Sequence, residues 1–174
     1  MRIKHCHIIM SGILLFTFLL PGCKSKTKES PLFEVLDSQR TGLDFSNNLS
    51  YNKDFNLFKY IYFYNGSGIG AGDFNNDGKI DLFFASNQQQ NKLYLNEGKL
   101  NFKDVTKQAN IPEDGGWSTG VSVVDINNDG LLDIYVCRVG NYETLKSKNQ
   151  LLICQGIKNG VPFYKDEAHE YGLD

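Results

Sequence analysis

Two nine-residue stretches, Asp73-Phe74-Asn75-Asn76-Asp77-Gly78-Lys79-Ile80-Asp81 and Asp125-Ile126-Asn127-Asn128-Asp129-Gly130-Leu131-Leu132-Asp133, share the pattern D-x-N-x-D-G-x-x-D. Five fixed positions match by chance in roughly three of every ten million start points, so the repetition is a design. Its chemistry follows from the spacing. Calcium takes six to eight hard oxygen ligands, and a loop supplies them from positions 1, 3, 5, 7 and 9, position 7 through its backbone carbonyl. The candidate ligands are Asp73, Asn75, Asp77, the Lys79 carbonyl and Asp81 in the first loop. In the second they are Asp125, Asn127, Asp129, the Leu131 carbonyl and Asp133. Gly78 and Gly130 fall at position 6, where the chain must turn sharply. Neither loop holds a His or Cys, so softer metals are poorly served. Two Ca2+ sites are therefore expected. A solvated Asx-rich turn is the plainer account, but turn chemistry does not demand three carboxylates in fixed register. An EF-hand or dockerin loop needs an acid at position 12 and a helix beyond it. Position 12 here is Phe84 or Val136, each in an apolar run.

The elements that must hold these loops repeat with them. In the first repeat, apolar runs cover Ile69–Phe74, Ile80–Ser86, Lys92–Asn96 and Phe102–Thr106; in the second, Val121–Ile126, Leu132–Arg138, Gln150–Cys154 and Pro162–Asp166. Runs of five to seven residues rich in Val, Ile, Phe and Tyr, bounded by Gly, Asn and Asp, read as strands. Four strands per repeat is the pattern of a β-propeller blade, with the calcium loop joining the first two. The offset between repeats grows from 52 residues at Asp73/Asp125 to 62 at Lys103/Lys165, which places a polar insertion between Arg138 and Lys148. Phe33–Leu43, Phe102–Ile111 and Tyr164–Leu173 echo one another, each with an aromatic start and an aliphatic stop.

The N-terminus reads as an address. Arg2 and Lys4 precede an apolar run from Ile8 to Leu20, the pattern of a secretory signal over 1–22 and too short for a bilayer span of roughly 20 residues. Leu20-Pro21-Gly22-Cys23 resembles the lipobox of bacterial lipoproteins, with Pro21 an uncommon residue at its place; the resemblance implies lipidation at Cys23, a membrane anchor, and an exported, outer-membrane, periplasmic or cell-surface location. Polar residues 23–31 suit a tether. Without Arg2 and Lys4 the 18 basic residues fall to 16, against 20 acidic, and the chain has no basic patch for nucleic acid.

The blades resemble the FG-GAP/VCBS repeat family of integrin-type β-propellers. The resemblance rests on residues 72–82 and 124–134, on Asn-Lys-Leu-Tyr-Leu-Asn-Glu-Gly at 91–98, and on Phe-x-Asp-Val-Thr at 102–106. Thr41-Gly42-Leu43-Asp44-Phe45 and Tyr62-Phe63-Tyr64-Asn65-Gly66 are similar to the start of the VCBS-repeat lipoproteins of Bacteroidota that often carry an ASPIC/UnbV domain. The fold expected is all-β: two four-stranded repeats, 65–115 and 116–174, in an incomplete propeller, preceded by a propeller-closing segment over 32–64. Within that segment Phe33–Asp37 is expected to serve as an outer strand. Closure takes about four to eight blades, so further blades of a longer chain are expected as partners.

Other residues carry less. Gly66-Ser67-Gly68-Ile69-Gly70-Ala71 fits a loose dinucleotide fingerprint, but a loop follows where a helix is required. Close packing of an inner strand explains these glycines better. Cys137 and Cys154 are expected to be buried free thiols, about three residues out of register on neighbouring strands. His169 is the one histidine after the signal, which leaves no His-rich zinc site. Trp117 and Tyr142 could meet a glycan or protein, or pack on a neighbouring blade. The expected function is non-enzymatic: a calcium-binding segment for adhesion or for capture of a glycan or protein. The alternatives are a scaffold or accessory part of a larger enzyme or uptake system, and more weakly a dockerin-like module.

Overall fold

Eight strands follow the two sequence repeats. A computed structural model describes residues 31–174, so the signal segment and Cys23 lie outside the described residues. Strands β1 (Ile69–Gly72), β2 (Asp81–Phe84), β3 (Lys92–Gly98) and β4 (Asn101–Asp104) form one antiparallel sheet in sequence order. Strands β5 (Ser118–Val124), β6 (Asp133–Arg138), β7 (Gln150–Lys158) and β8 (Val161–Asp166) form the second in the same way. Each sheet is the up-and-down meander of a propeller blade, and the two do not close into a ring.

A shared core lies between the sheets. Phe74, Phe83, Leu93 and Val105 of the first repeat meet Ile134, Val136, Leu152 and Tyr164 of the second, all essentially inaccessible. The contact runs through the inner strands, and glycine makes it possible. A Cβ on Gly68 would stand 2.7 Å from the Val121 backbone nitrogen, and one on Gly70 2.8 Å from Val123 Cγ2. Gly68 and Gly70 are thus packing residues, whereas Gly66, at φ 78°, has open space about it, and the run continues through β1 into a turn and not into a helix.

The segment before β1 contributes side chains and no strand. Phe55, Tyr60 and Phe63 bury against Trp117, with ring centroids 5.0, 5.7 and 5.4 Å from it. Trp117 is therefore a packing residue. Tyr142 lies 5.1 Å from the Tyr60 ring, and its hydroxyl donates to the Lys59 carbonyl.

Several expectations need correction. Phe33–Asp37 forms no strand; Phe33 and Val35 are exposed, and Asp37 instead caps the one-turn helix α1 (Ser38–Thr41), accepting from the Arg40 N–H at 2.8 Å. What the three echoing segments share is a helical turn after the strand position: Thr41 N–H to Asp37, Ala109 N–H to Val105 and Tyr171 N–H to Glu167. Strand β5 begins three residues before the apolar run, and β7 runs four residues beyond it to Lys158. The extension was hidden because Gly156, at φ 132°, shifts the register between Cys154 and Ile157 and breaks the alternation. Cys154 is buried as expected, but Cys137 is exposed. Pairing of Ile134 with Leu152 sets Cys154 opposite position 132, five residues from Cys137 and not three, so both thiols stay free.

The glycine contact is testable. Gly68→Ala drives a methyl into backbone and should cost about 1–3 kcal/mol in denaturant unfolding. Gly120→Ala, whose Cβ would meet nothing nearer than Cys137 Cβ at 3.7 Å, should be far milder.

Candidate metal centre

Each candidate loop leaves the inner strand and returns as the second, and the two are built alike. In the first, Asp73 Oδ1 accepts from the Asp77 N–H at 2.9 Å and Oδ2 from the Gly78 N–H at 2.7 Å. Asp77 Oδ1 accepts from the Lys79 N–H at 2.9 Å. In the second, Asp125 holds the Asp129 and Gly130 N–H groups at 3.1 and 2.9 Å, and Asp129 holds that of Leu131 at 2.8 Å. Asn76 and Asn128 are left-handed at φ 55° and 60°, and Gly78 and Gly130 both sit at φ 84°. The position-6 glycines therefore do what the sequence required of them.

Position 9 is the anchor. Asp81 and Asp133 are fully buried at the first residues of β2 and β6. Asp81 accepts from the Phe74 N–H at 3.0 Å and from the Asn96 N–H on β3 at 2.7 Å. Asp133 accepts from Ile126 at 3.0 Å and from Cys154 on β7 at 2.8 Å. Burial pushes both carboxyls above the usual range, and the charges at Asp77 and Asp73, or at Asp129 and Asp125, push the same way against those hydrogen bonds. Each loop thus concentrates three carboxylates that repel one another.

The residues fit a calcium ion. Asn75 Oδ1, at ligand position 3, is buried with no hydrogen-bond partner. An orphaned amide oxygen beside acidic side chains is a ready cation ligand. Among the described residues no three Asp, Glu, His or Cys side chains group closely enough to hold a metal by themselves. A cation would have to draw the loop acids closer together than they stand and add amide and carbonyl oxygens, the mixed donor set that the loop spacing describes. Phe84 and Val136, at position 12, lie within β2 and β6, which leaves no helix for an EF-hand or dockerin.

One feature escaped the sequence reading. The spacing assigns position 7 a role through its carbonyl, yet the Lys79 ammonium also lies 2.7 Å from Asp77 Oδ2. This hydrogen bond leads the effects that hold Asp77 below the usual carboxylate range. The second loop has Leu131 in its place, and so carries no such internal cation.

A separate polar cavity of about 520 Å3 lies where the insertion meets the segment linking the repeats, with Asp114, Arg138, Lys146 and Asn149 in its lining. Arg138 closes β6; its side chain is only 4% exposed, and it clasps Asp114 with two bonds of 2.8 Å. Gln150 adds a third bond to Asp114 at 3.2 Å. Arg138 Nε and Gln150 Oε1 are buried without partners. Burial alone would raise the Asp114 carboxyl, but the Arg138 hydrogen bonds and charge outweigh it and hold it low. Nothing in the spacing announced this pair, whose members lie 24 residues apart. His169 is far from both sites in role: its side chain is 87% exposed, 3.4 Å from Asp174.

A family model described as an FG-GAP-like repeat matches residues 73–136, from the first aspartate of the first loop through the second loop. The matched stretch is thus similar to FG-GAP-like repeats, in keeping with the bladed sheets. No curated protein matches the chain.

Two outcomes follow from these geometries. Lys79→Leu removes the competing ammonium at the modest cost of an exposed ion pair, and should tighten calcium binding at the first loop about 2–5-fold by calorimetry. The Asp114–Arg138 contribution should be complete above the ordinary carboxylate value of 3.8 and lost as pH falls through the lowered folded value. The stability gap between the wild type and Asp114→Asn in urea, about 1–3 kcal/mol at pH 7, should accordingly shrink below pH 4.

Proposed function

We propose that this chain is a calcium-stabilised β-propeller segment of an exported lipoprotein, serving adhesion or the capture of a glycan or protein ligand, without catalysis of its own. The observation that carries the metal reading is the orphaned Asn75 oxygen within a loop that occurs twice. Asp73, Asn75, Asp77, the Lys79 carbonyl and Asp81 hold one ion; Asp125, Asn127, Asp129, the Leu131 carbonyl and Asp133 hold the other. Bound calcium supplies charge neutralisation and fixed geometry. The carboxylates of Asp73 and Asp125 keep their hold on loop amides, because each ionised oxygen has a further lone pair to offer a cation.

Cys23 anchors the protein to a membrane, and the external face supplies the ion. Extracellular calcium modules work at about 0.1–1 mM, so the loops stay filled outside the cell and empty in a calcium-poor cytoplasm. Ligand capture belongs to the end of the sheet that carries the Arg138–Lys148 insertion, whose cavity offers both donors and acceptors. FG-GAP-like repeats favour a ligand-binding or adhesion role, by analogy of fold.

Calcium titration followed by thermal and urea unfolding tests the reading. At 10 mM calcium and a Kd of about 0.1–1 mM, each site adds about 1.4–2.7 kcal/mol. Asp77→Ala and Asp129→Ala should each remove one site's share, and magnesium should not substitute. A chain whose unfolding ignores calcium would defeat the assignment.

A further inference from the structure

The first loop is not self-contained. Asn75 Nδ2 donates to the Gly160 carbonyl at 3.2 Å, 85 residues away, and to Asp77 Oδ2 at 3.3 Å. Asn159 and Gly160 form the two-residue turn between β7 and β8, both at positive φ (53° and 76°). Such a turn is matched to the twist of its strands and presents its carbonyl from a fixed place. Both neighbours of the Asn75 NH2 group are acceptors, so the amide cannot flip without setting oxygen against oxygen. The hairpin of the second repeat therefore decides where the Asn75 oxygen points.

A second tie joins the loops themselves. Asn76 Nδ2 donates to the Gly130 carbonyl at 3.2 Å, and Gly130 is the sharp-turn residue of the second loop. The relation is one-sided. Asn127, the counterpart of Asn75, keeps both amide atoms on Asp129, at 2.9 and 3.1 Å. Asn128, the counterpart of Asn76, makes no corresponding bond across the repeats among the described contacts.

We infer that the first calcium site is completed by the second repeat, through Gly160 orienting Asn75 and Gly130 holding Asn76, so that the two loops bind calcium as a positively coupled pair. The inference rests on the calcium reading above. A loop whose Gly130 carbonyl is fixed by its own ion offers Asn76 an ordered acceptor, and the first ion then meets a loop already shaped. Reciprocity requires that filling the first loop helps the second by the same factor.

Calorimetric calcium titration of the chain measures the coupling. Asp129→Ala leaves only the first loop, and Asp77→Ala leaves only the second. The product of the two association constants of the wild type should exceed the product of the two single-loop constants by about 5-fold or more. Asn76→Gly keeps the left-handed backbone and removes the amide; it should bring that ratio to about 1, whereas Asn128→Gly should leave it intact. Asp129→Asn and Asp77→Asn, which preserve shape, replace the alanine variants if their circular dichroism departs from the wild type. Two independent sites, indifferent to Asn76→Gly, would overturn the coupling and leave the calcium reading standing. No calcium binding by any variant or by the wild type would overturn both.

Discussion

Everything about the two loops depends on one buried carboxylate in each. Asp81 and Asp133 sit at the point where the chain comes back from the loop into the sheet. With one oxygen each reaches the start of the loop, and with the other the third strand. A carboxylate without water costs several kcal/mol unless its lone pairs are met. Two backbone N–H groups meet them here, and both would be unpaired if the aspartate were lost. The residue thus closes the loop, fixes the register of the second strand against the third, and sets a charge below the other acids. Burial and the neighbouring acids raise both carboxyls, which is the electrostatic cost of that arrangement.

That constraint explains how much was legible from sequence. The loop is built from aspartates that hold the amides four and five residues on and from a turn that only glycine makes easily, so residue types at fixed positions reveal it directly. The strands were legible for the same local reason, since alternation and turn residues bound them. What failed to show was non-local. The Lys79 ammonium bends back on Asp77, a choice that its carbonyl role gave no reason to expect. Asn75 reaches Gly160, and Phe55, Tyr60 and Phe63 find Trp117, across separations that no pattern of spacing encodes. Phe33–Asp37 misled because it echoed strand β4 in composition, while its Asp37 was a helix cap. Cys137 is exposed because it lies one residue from the end of β6, where the strand's alternation turns it to solvent.

The aromatic cluster gives the segment before β1 a physical role after all. It packs the connection between the repeats at Trp117, beside the first residues of β5. Ser118 at that point also accepts, through its carbonyl, from Ser67 and Asn87, so the passage from one blade to the next is fastened by side chains from three parts of the chain. Such a junction resists rotation of one sheet against the other, which the glycine-lined contact of β1 with β5 needs in order to stay close-packed.

Strand β6 separates the two chemical regions. Asp133 begins it and Arg138 ends it, so the acidic loop and the polar cavity lie at opposite ends of one strand, on the order of 17 Å apart. An ion at the first end cannot also touch a ligand at the second. The same strand joins the first end to the buried guanidinium on which Asp114 and the cavity wall are built. The repeated loop and the unrepeated insertion thus differ in kind: at one end the same residue types recur at the same spacing in both repeats, and at the other the second repeat alone carries a polar loop and a buried ion pair.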